Sequence, residues 1–174
     1  MTSRVLVTYA SKHGATAEIA ERIGQVLIRN GLYVDIMPIE EVQTLNIYQA
    51  VVLGSAVYAG QWRREAVDFL ESHKVALTNA PLWIFSSGPT GEGDPEELLN
   101  GWRYPQAQDL LIARLQPKDT VVFHGVLEPS TLNLAERVIV RGVKAPIGDF
   151  RNWESINQWA TEIAEAVRQI PFPT

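Results

Sequence analysis

The stretch Arg4-Val-Leu-Val-Thr-Tyr-Ala-Ser-Lys-His-Gly-Ala-Thr16 decides the fold. Arg4 to Tyr9 is a short apolar run, Ala10 to Thr16 is a small, hydroxyl-rich loop, and a helical pattern starts at once behind it. That order predicts a strand-to-helix junction. Such a junction suits an anion, because the first N–H groups of a helix lack partners within it and the helix dipole puts partial positive charge there. Ser11 and Thr16 add hydroxyls, Gly14 lets the backbone come close, and Lys12 and His13 offer charge. On these residues alone the loop is either a phosphate site or an ordinary capped turn.

The chain behind it repeats the same alternation. Ile19, Ile23, Val26 and Leu27 recur at helical spacing, and Asn30-Gly31 supplies the stop. Leu32 to Ile36 alternates like a strand. Gln49-Ala-Val-Val-Leu-Gly54 is a continuous apolar run, the mark of a strand buried on both faces. It opens into Ser55-Ala-Val-Tyr-Ala-Gly-Gln61, and Trp62 to His73 predicts a helix. Pro81 to Phe85 is another buried strand, with the long loop Ser86-Ser-Gly-Pro-Thr-Gly-Glu-Gly-Asp-Pro95 behind it. A helix through Ala107, Leu110, Leu111 and Leu115 ends before Pro117, and Asp119 to Gly125 holds a fifth strand. The last helix opens near Asn152, a good N-cap residue, with Trp153, Ile156, Trp159, Ala160, Ile163 and Val167 on one face. A strand and helix repeated five times predict an α/β fold: a doubly wound, five-stranded parallel sheet with helices on both faces. One domain over 1–174 is expected, with an insertion after the fifth strand at about 128–147.

Composition narrows the function. At 174 residues, with 46% hydrophobic and 20% charged residues, the chain suits one soluble globular domain. A net charge of −5 gives no basic footprint, so no nucleic-acid partner is expected. With no cysteine, disulfides, thiolate catalysis and zinc-thiolate sites are excluded. The strand beginning at Arg4 leaves no room for a signal peptide, and no apolar run approaches a membrane span, so the expectation is a cytoplasmic protein. Among nucleotide sites, a Gly-x-Gly-x-x-Gly after the first strand and a Gly-x-x-x-x-Gly-Lys-Ser/Thr are both missing. A phospho-receiver site needs acidic residues at the end of the first strand, where Thr8-Tyr9-Ala10 stands instead. His73 and His124 are too isolated to ligate a metal.

In an open α/β sheet, ligands sit beyond the carboxyl ends of the strands where the strand order reverses. The loops after the first, third and fourth strands are small or glycine-rich, and a 2-1-3-4-5 order would line one crevice with all three. Ser11-Lys-His-Gly14-Ala-Thr16 resembles the phosphate loop of flavodoxin-like proteins, in which a hydroxyl residue, two variable positions, glycine, one variable position and threonine follow the first strand. The resemblance implies the 2-1-3-4-5 order and flavin mononucleotide (FMN) as ligand. It places the phosphate at Ser11, Lys12, His13, Gly14, Ala15 and Thr16. Gly54 to Gly60 is similar to the family's second loop, which puts Ala56, Val57 and Tyr58 at the flavin, with Tyr58 either stacked on the ring or covering core. Ser87 to Asp94 is similar to the third loop, and assigns Ser87, Gly88, Pro89, Thr90, Gly91, Gly93 and Asp94 to the ring edge. Glu92 and Asp94 would disfavour negative charge on the flavin there, or would serve only turn geometry.

Among flavodoxin-like proteins, the Ala10–Thr16 loop, Gly54–Gly60 and the segment from His124 into the insertion resemble the menaquinone-dependent protoporphyrinogen dehydrogenase type. The insertion departs from that type in being short and weakly basic, which argues against porphyrinogen as substrate. Its Leu134, Val138 and Ile139 form an apolar stripe, with Arg137, Arg141 and Lys144 at i, i+4, i+7 spacing. The segment reads as a core-packed helix, or as one making weak contact with a membrane surface or a partner. Trp62, Trp102 and Tyr104 either shield the ring or pack. No side-chain acid, base or nucleophile stands out. The expectation is a flavin oxidoreductase or electron carrier fed by a separate reductase or NAD(P)H, with an interaction domain lacking flavin as the alternative, and oligomers are compatible with either.

Overall fold

A computed structural model describes residues 4–171. Strand β1 (Arg4–Ala10) lies second from one edge of the sheet, and its Val5, Leu6 and Val7 are fully buried, as the opening apolar run requires. It pairs in parallel with β2 (Tyr33–Pro38) from Arg4↔Tyr33 to Tyr9↔Pro38, and with β3 (Ala50–Tyr58) from Val5↔Ala50 to Ala10↔Ser55. Strand β3 pairs in parallel with β5 (Leu82–Ser87), and β5 with β6 (Asp119–Phe123). The order is β2-β1-β3-β5-β6, with the two-residue β4 (Gln61–Trp62) folded back antiparallel on β3. Leaving out β4, the parallel strands run 2-1-3-4-5 as expected.

Alternate strand residues feed two cores. On one face Val5, Val7, Val52, Trp83 and Phe85 meet α1 (Ala15–Arg29) and α7 (Trp153–Arg168). On the other, Leu6, Val51, Leu53, Leu82 and Ile84 meet α2 (Arg64–Ser72), α3 (Lys74–Asn79) and α5 (Asp109–Leu115). The first core centres on Phe85, Phe123 and Trp159, whose ring centroids lie 5.6–6.1 Å apart. Gly54 makes room for it: a Cβ there would stand 2.0 Å from the Phe85 ring. Trp159 keeps its polar tip satisfied by donating to Asp119 Oδ2 at 2.8 Å.

Several local details differ from the sequence reading. Trp62 lies in β4 rather than at a helix start, and α2 begins at Arg64. The short α4 (Pro95–Leu98) opens inside the long third loop. After β6 the chain forms a hairpin of β7 (Val126–Leu127) and β8 (Gly148–Asp149), so the insertion 128–147 is closed at its neck by backbone pairing. It carries one helix, α6 (Leu134–Val143). Among the described residues no helix is long and apolar enough to cross a membrane.

Candidate cofactor site

Three loop ends converge because β1, β3 and β5 are adjacent and parallel, so their carboxyl ends face one edge of the sheet. A cavity of about 340 Å³ lies there, bordered by Ser11, Lys12, His13, Ala15 and Thr16 from the first loop. Ala56, Val57 and Tyr58 border it from β3, and Ser87, Gly88 and Thr90 from the loop after β5. The backbones come into close contact around it. A Cβ on Gly88 would stand 3.0 Å from the Val57 carbonyl, and one on Gly125 would stand 3.0 Å from Gly88 Cα. The Gly88 N–H donates to Phe123 O at 3.3 Å and the Gly125 N–H to Pro89 O at 2.9 Å, which ties the third loop to the end of β6.

The first loop is built as an anion cradle. Gly14 holds the N-cap position with φ +89°, a left-handed conformation that glycine adopts without strain. Its N–H donates to Ser11 Oγ at 3.1 Å, so the Ser11 side chain braces the loop from within. The N–H groups of Ala15, Thr16 and Ala17 occupy the first turn of α1, where the helix itself provides no acceptor. Thr16 is buried. Thr8, two residues before the loop, is also buried, and its hydroxyl has no hydrogen-bond partner.

An anion does sit on this loop, and it belongs to the protein. Glu136 of α6 forms an ion pair with Lys12, and its Oε1 lies 3.6 Å from His13 Nε2. The Lys12 ammonium, and after it the Asn133 N–H, hold the Glu136 carboxyl down at about 2. The Tyr58 hydroxyl lies 2.8 Å from His13 Nε2, and Lys12 Nζ stands 4.7 Å from the centre of the Tyr58 ring. Burial first, and the Glu136 charge second, push the Tyr58 phenol up to about 12, so it stays neutral and able to donate over the whole physiological range. The charged side chains of this loop thus already attract a carboxylate, beside the helix N–H groups that suit a phosphate-bearing ligand.

The remaining residues named from sequence fall elsewhere. Gly14 and Pro89 shape their loops without bordering the cavity, and Gly91 faces the insertion, where a Cβ on it would stand 3.4 Å from the Pro146 ring. Gly93 and Asp94 lie on a different depression, beside His124 and Trp159. Asp94 is the N-cap of α4, its Oδ1 accepting from the Glu96 N–H at 2.8 Å and the Glu97 N–H at 3.2 Å. Trp62 is core: its indole N–H donates to Ser86 Oγ at 2.8 Å. Trp102 and Tyr104 also lie away from the cavity. Among the described residues no cluster of acidic or histidine side chains could hold a metal.

Sequence reasoning missed the wall that α6 and its flanks contribute, namely Leu127, Leu132, Glu136, Ile139, Val140 and Val143. One signal was present: Asn133-Leu-Ala-Glu136 is a capping box, and both of its hydrogen bonds form at 2.9 Å. That pattern locates a helix start but not the neighbour 124 residues away in sequence that Glu136 reaches.

Comparison with known proteins agrees with this architecture. The family described as "Flavodoxin domain" matches residues 6–152. Protoporphyrinogen IX dehydrogenase [quinone] of Escherichia coli strain K12 is 24% identical over 178 positions, covering 92% of this chain and 94% of that protein. A flavodoxin from the domain Archaea superposes with a TM-score of 0.63 at 13% identity, covering 95% of this chain and 99% of that one. Flavodoxin 1 from Bacillus cereus superposes with a TM-score of 0.60 at 18% identity, covering 97% and 100%. With the order 2-1-3-4-5, the glycine-capped first loop and a family match over most of its length, this chain belongs to the flavodoxin-domain family.

Proposed function

We propose that the protein is an FMN-dependent redox protein, passing electrons from a separate reductase or NAD(P)H to an acceptor of the quinone class. The observation that carries this reading is the meeting of three loops at one cavity, where the first turn of α1 and the Lys12 side chain lie beside the Tyr58 ring. The quinone in the name of the Escherichia coli relative supports the choice of acceptor. Bound FMN would supply one- and two-electron chemistry that no side chain here offers. The chain's own residues do the rest. Ser11, Lys12, His13, Ala15 and Thr16 would anchor the phosphate, Gly14 shapes the turn that presents them, and Tyr58 with Ser87, Gly88 and Thr90 would border the ring. Ile139, Val140 and Val143 of α6 line the same space.

The exposed apolar side chains of α6, with Arg141 and Lys144 beside them, support a weak contact of segment 128–147 with an anionic membrane surface. Arg137 is partly tied down, its Nε–H donating to the Pro129 and Leu132 carbonyls at 3.2 Å.

The purified protein is expected to be yellow or to take up FMN with quenching of its fluorescence. Anaerobic reduction of the loaded protein by NADH or NADPH, then reoxidation by a panel of quinones, identifies donor and acceptor. A colourless protein that does not bind added FMN would mark a flavodoxin-fold interaction domain instead.

A further inference from the structure

Ten residues make up α6, and its single buried side chain is the carboxylate of Glu136. Leu134, Val138, Ile139 and Val143 are all exposed. A helix whose apolar side chains are left out while an acidic one is turned in is not held by hydrophobic burial. It is held by its ion pair and by its neck.

The geometry leaves Glu136 little freedom. Its Oε2 accepts the Asn133 N–H at 2.9 Å as half of the capping box, and this aims Oε1 at Lys12 and His13. The neck of the insertion is pinned as well. Arg151 pairs with Asp149 at 2.7 Å and with Glu18 of α1 at 2.6 Å, and it stacks over Trp153 at 4.7 Å. Glu136 is thus presented to the first loop by a braced scaffold, at the place where that loop offers its positive charge.

We propose that Glu136 is an internal counter-ion of the phosphate loop, and that it sets the protein's preference between phosphorylated and unphosphorylated flavins. This rests on the reading of the crevice as a flavin site. A phosphate arriving at the loop finds Lys12 already paired. Either Glu136 withdraws, which breaks the ion pair that seats α6, or it stays as a like charge beside the phosphate. Both outcomes cost affinity for the phosphorylated ligand, and neither costs affinity for riboflavin, which carries no charge there.

Glu136→Gln isolates the charge, since glutamine serves the N3 position of a capping box as glutamate does. Dissociation constants for FMN and for riboflavin, measured by flavin fluorescence quenching on wild type and variant, form a two-by-two test. The variant should bind FMN about tenfold more tightly or better, while riboflavin changes by less than about twofold. Glu136→Ala, which also loses the cap, should move the FMN-to-riboflavin ratio in the same direction. An unchanged ratio in both variants would overturn the proposal. So would weaker FMN binding, which would make Glu136 a positioning residue for Lys12. FMN binding by wild type with an unmoved ratio removes this inference alone, whereas no binding of either flavin by any variant removes the flavin reading and this inference together.

Discussion

Helices α1 and α6 carry the same kind of sequence and meet opposite fates. Each has an apolar face at helical spacing, a glutamate in its first turn and an arginine in its last. In α1 that face is fully buried at Ile19, Ile23 and Leu27, between the sheet and α7. In α6, Leu134 is 80% exposed and Val138 64%, while Glu136 is only 7% exposed. The difference lies in what each helix faces. Helix α1 crosses over β1 and β2, whose inward side chains are an apolar surface of fixed shape. Helix α6 sits on a two-strand neck over the mouth of a crevice, where the strongest available partner is a lysine. An apolar stripe thus establishes that a helix has a face, and it leaves open whether core, ligand or partner will cover it.

The largest effect that could break this comparison is on stability. Ile23→Ala removes a fully buried side chain and should cost about 2–5 kcal/mol in urea unfolding. Ile139→Ala on α6 should stay within about 0.5 kcal/mol. Equal losses at the two positions would show α6 to be packed as tightly as α1. A second contrast concerns ligand. Thr16→Val, at the start of α1, should weaken FMN binding by about 1–3 kcal/mol, read by fluorescence titration, because a buried hydroxyl is lost from the cradle. Unchanged affinity would remove Thr16 from the site.

Acid sharpens the contrast further. Glu136 has its carboxyl lowered from 4.5 to about 2 while α6 is seated. A depressed carboxylate stabilises the seated state above its free value near 4.5, and that contribution drains away as pH falls toward 2. Amide exchange over residues 134–143 should therefore be independent of pH-linked opening above about 5 and should show progressive opening below 4.5. Glu136→Gln should lose this dependence, and the centre of α1 should not show it in either protein. An identical acid response in wild type and variant would separate α6 seating from Glu136. The smallest effect concerns membranes. Sedimentation with anionic vesicles should detect weak binding through Arg141 and Lys144 that fades as salt rises, with each charge worth about 1 kcal/mol. Failure to pellet at low salt would leave the apolar face of α6 to the crevice alone.

The fold was largely legible from the chain. Continuous apolar runs at Val5–Val7 and Val51–Leu53 require burial on both faces, and both strands lie inside the sheet. The first loop was legible for a similar reason, since Gly14 and the residues of its helix start act through local backbone geometry. The third loop was less so. Ser87, Gly88 and Thr90 reach the cavity, while Gly93 and Asp94 have turned away to start α4. Asp94 followed by Pro95 is itself a helix-start pattern, and that local preference prevails over the general glycine-rich character of the loop. Trp62 was misplaced because a two-residue strand is too short to leave a periodic trace.

By itself the sequence determined whatever depends on neighbours along the chain. This covers the alternation of strands and helices, the turn at Gly14, the cap at Asn152, and the limits of the insertion at 128 and 147. Tertiary structure decided what depends on residues far apart in the chain. It set Glu136 against Lys12, put the Tyr58 hydroxyl beside His13, and let Arg151 fasten the neck of the insertion to α1. Periodicity and capping are local and are written in spacing. A charge pair closed across more than a hundred residues leaves no spacing to read, because its energy depends only on where the fold finally places the two groups.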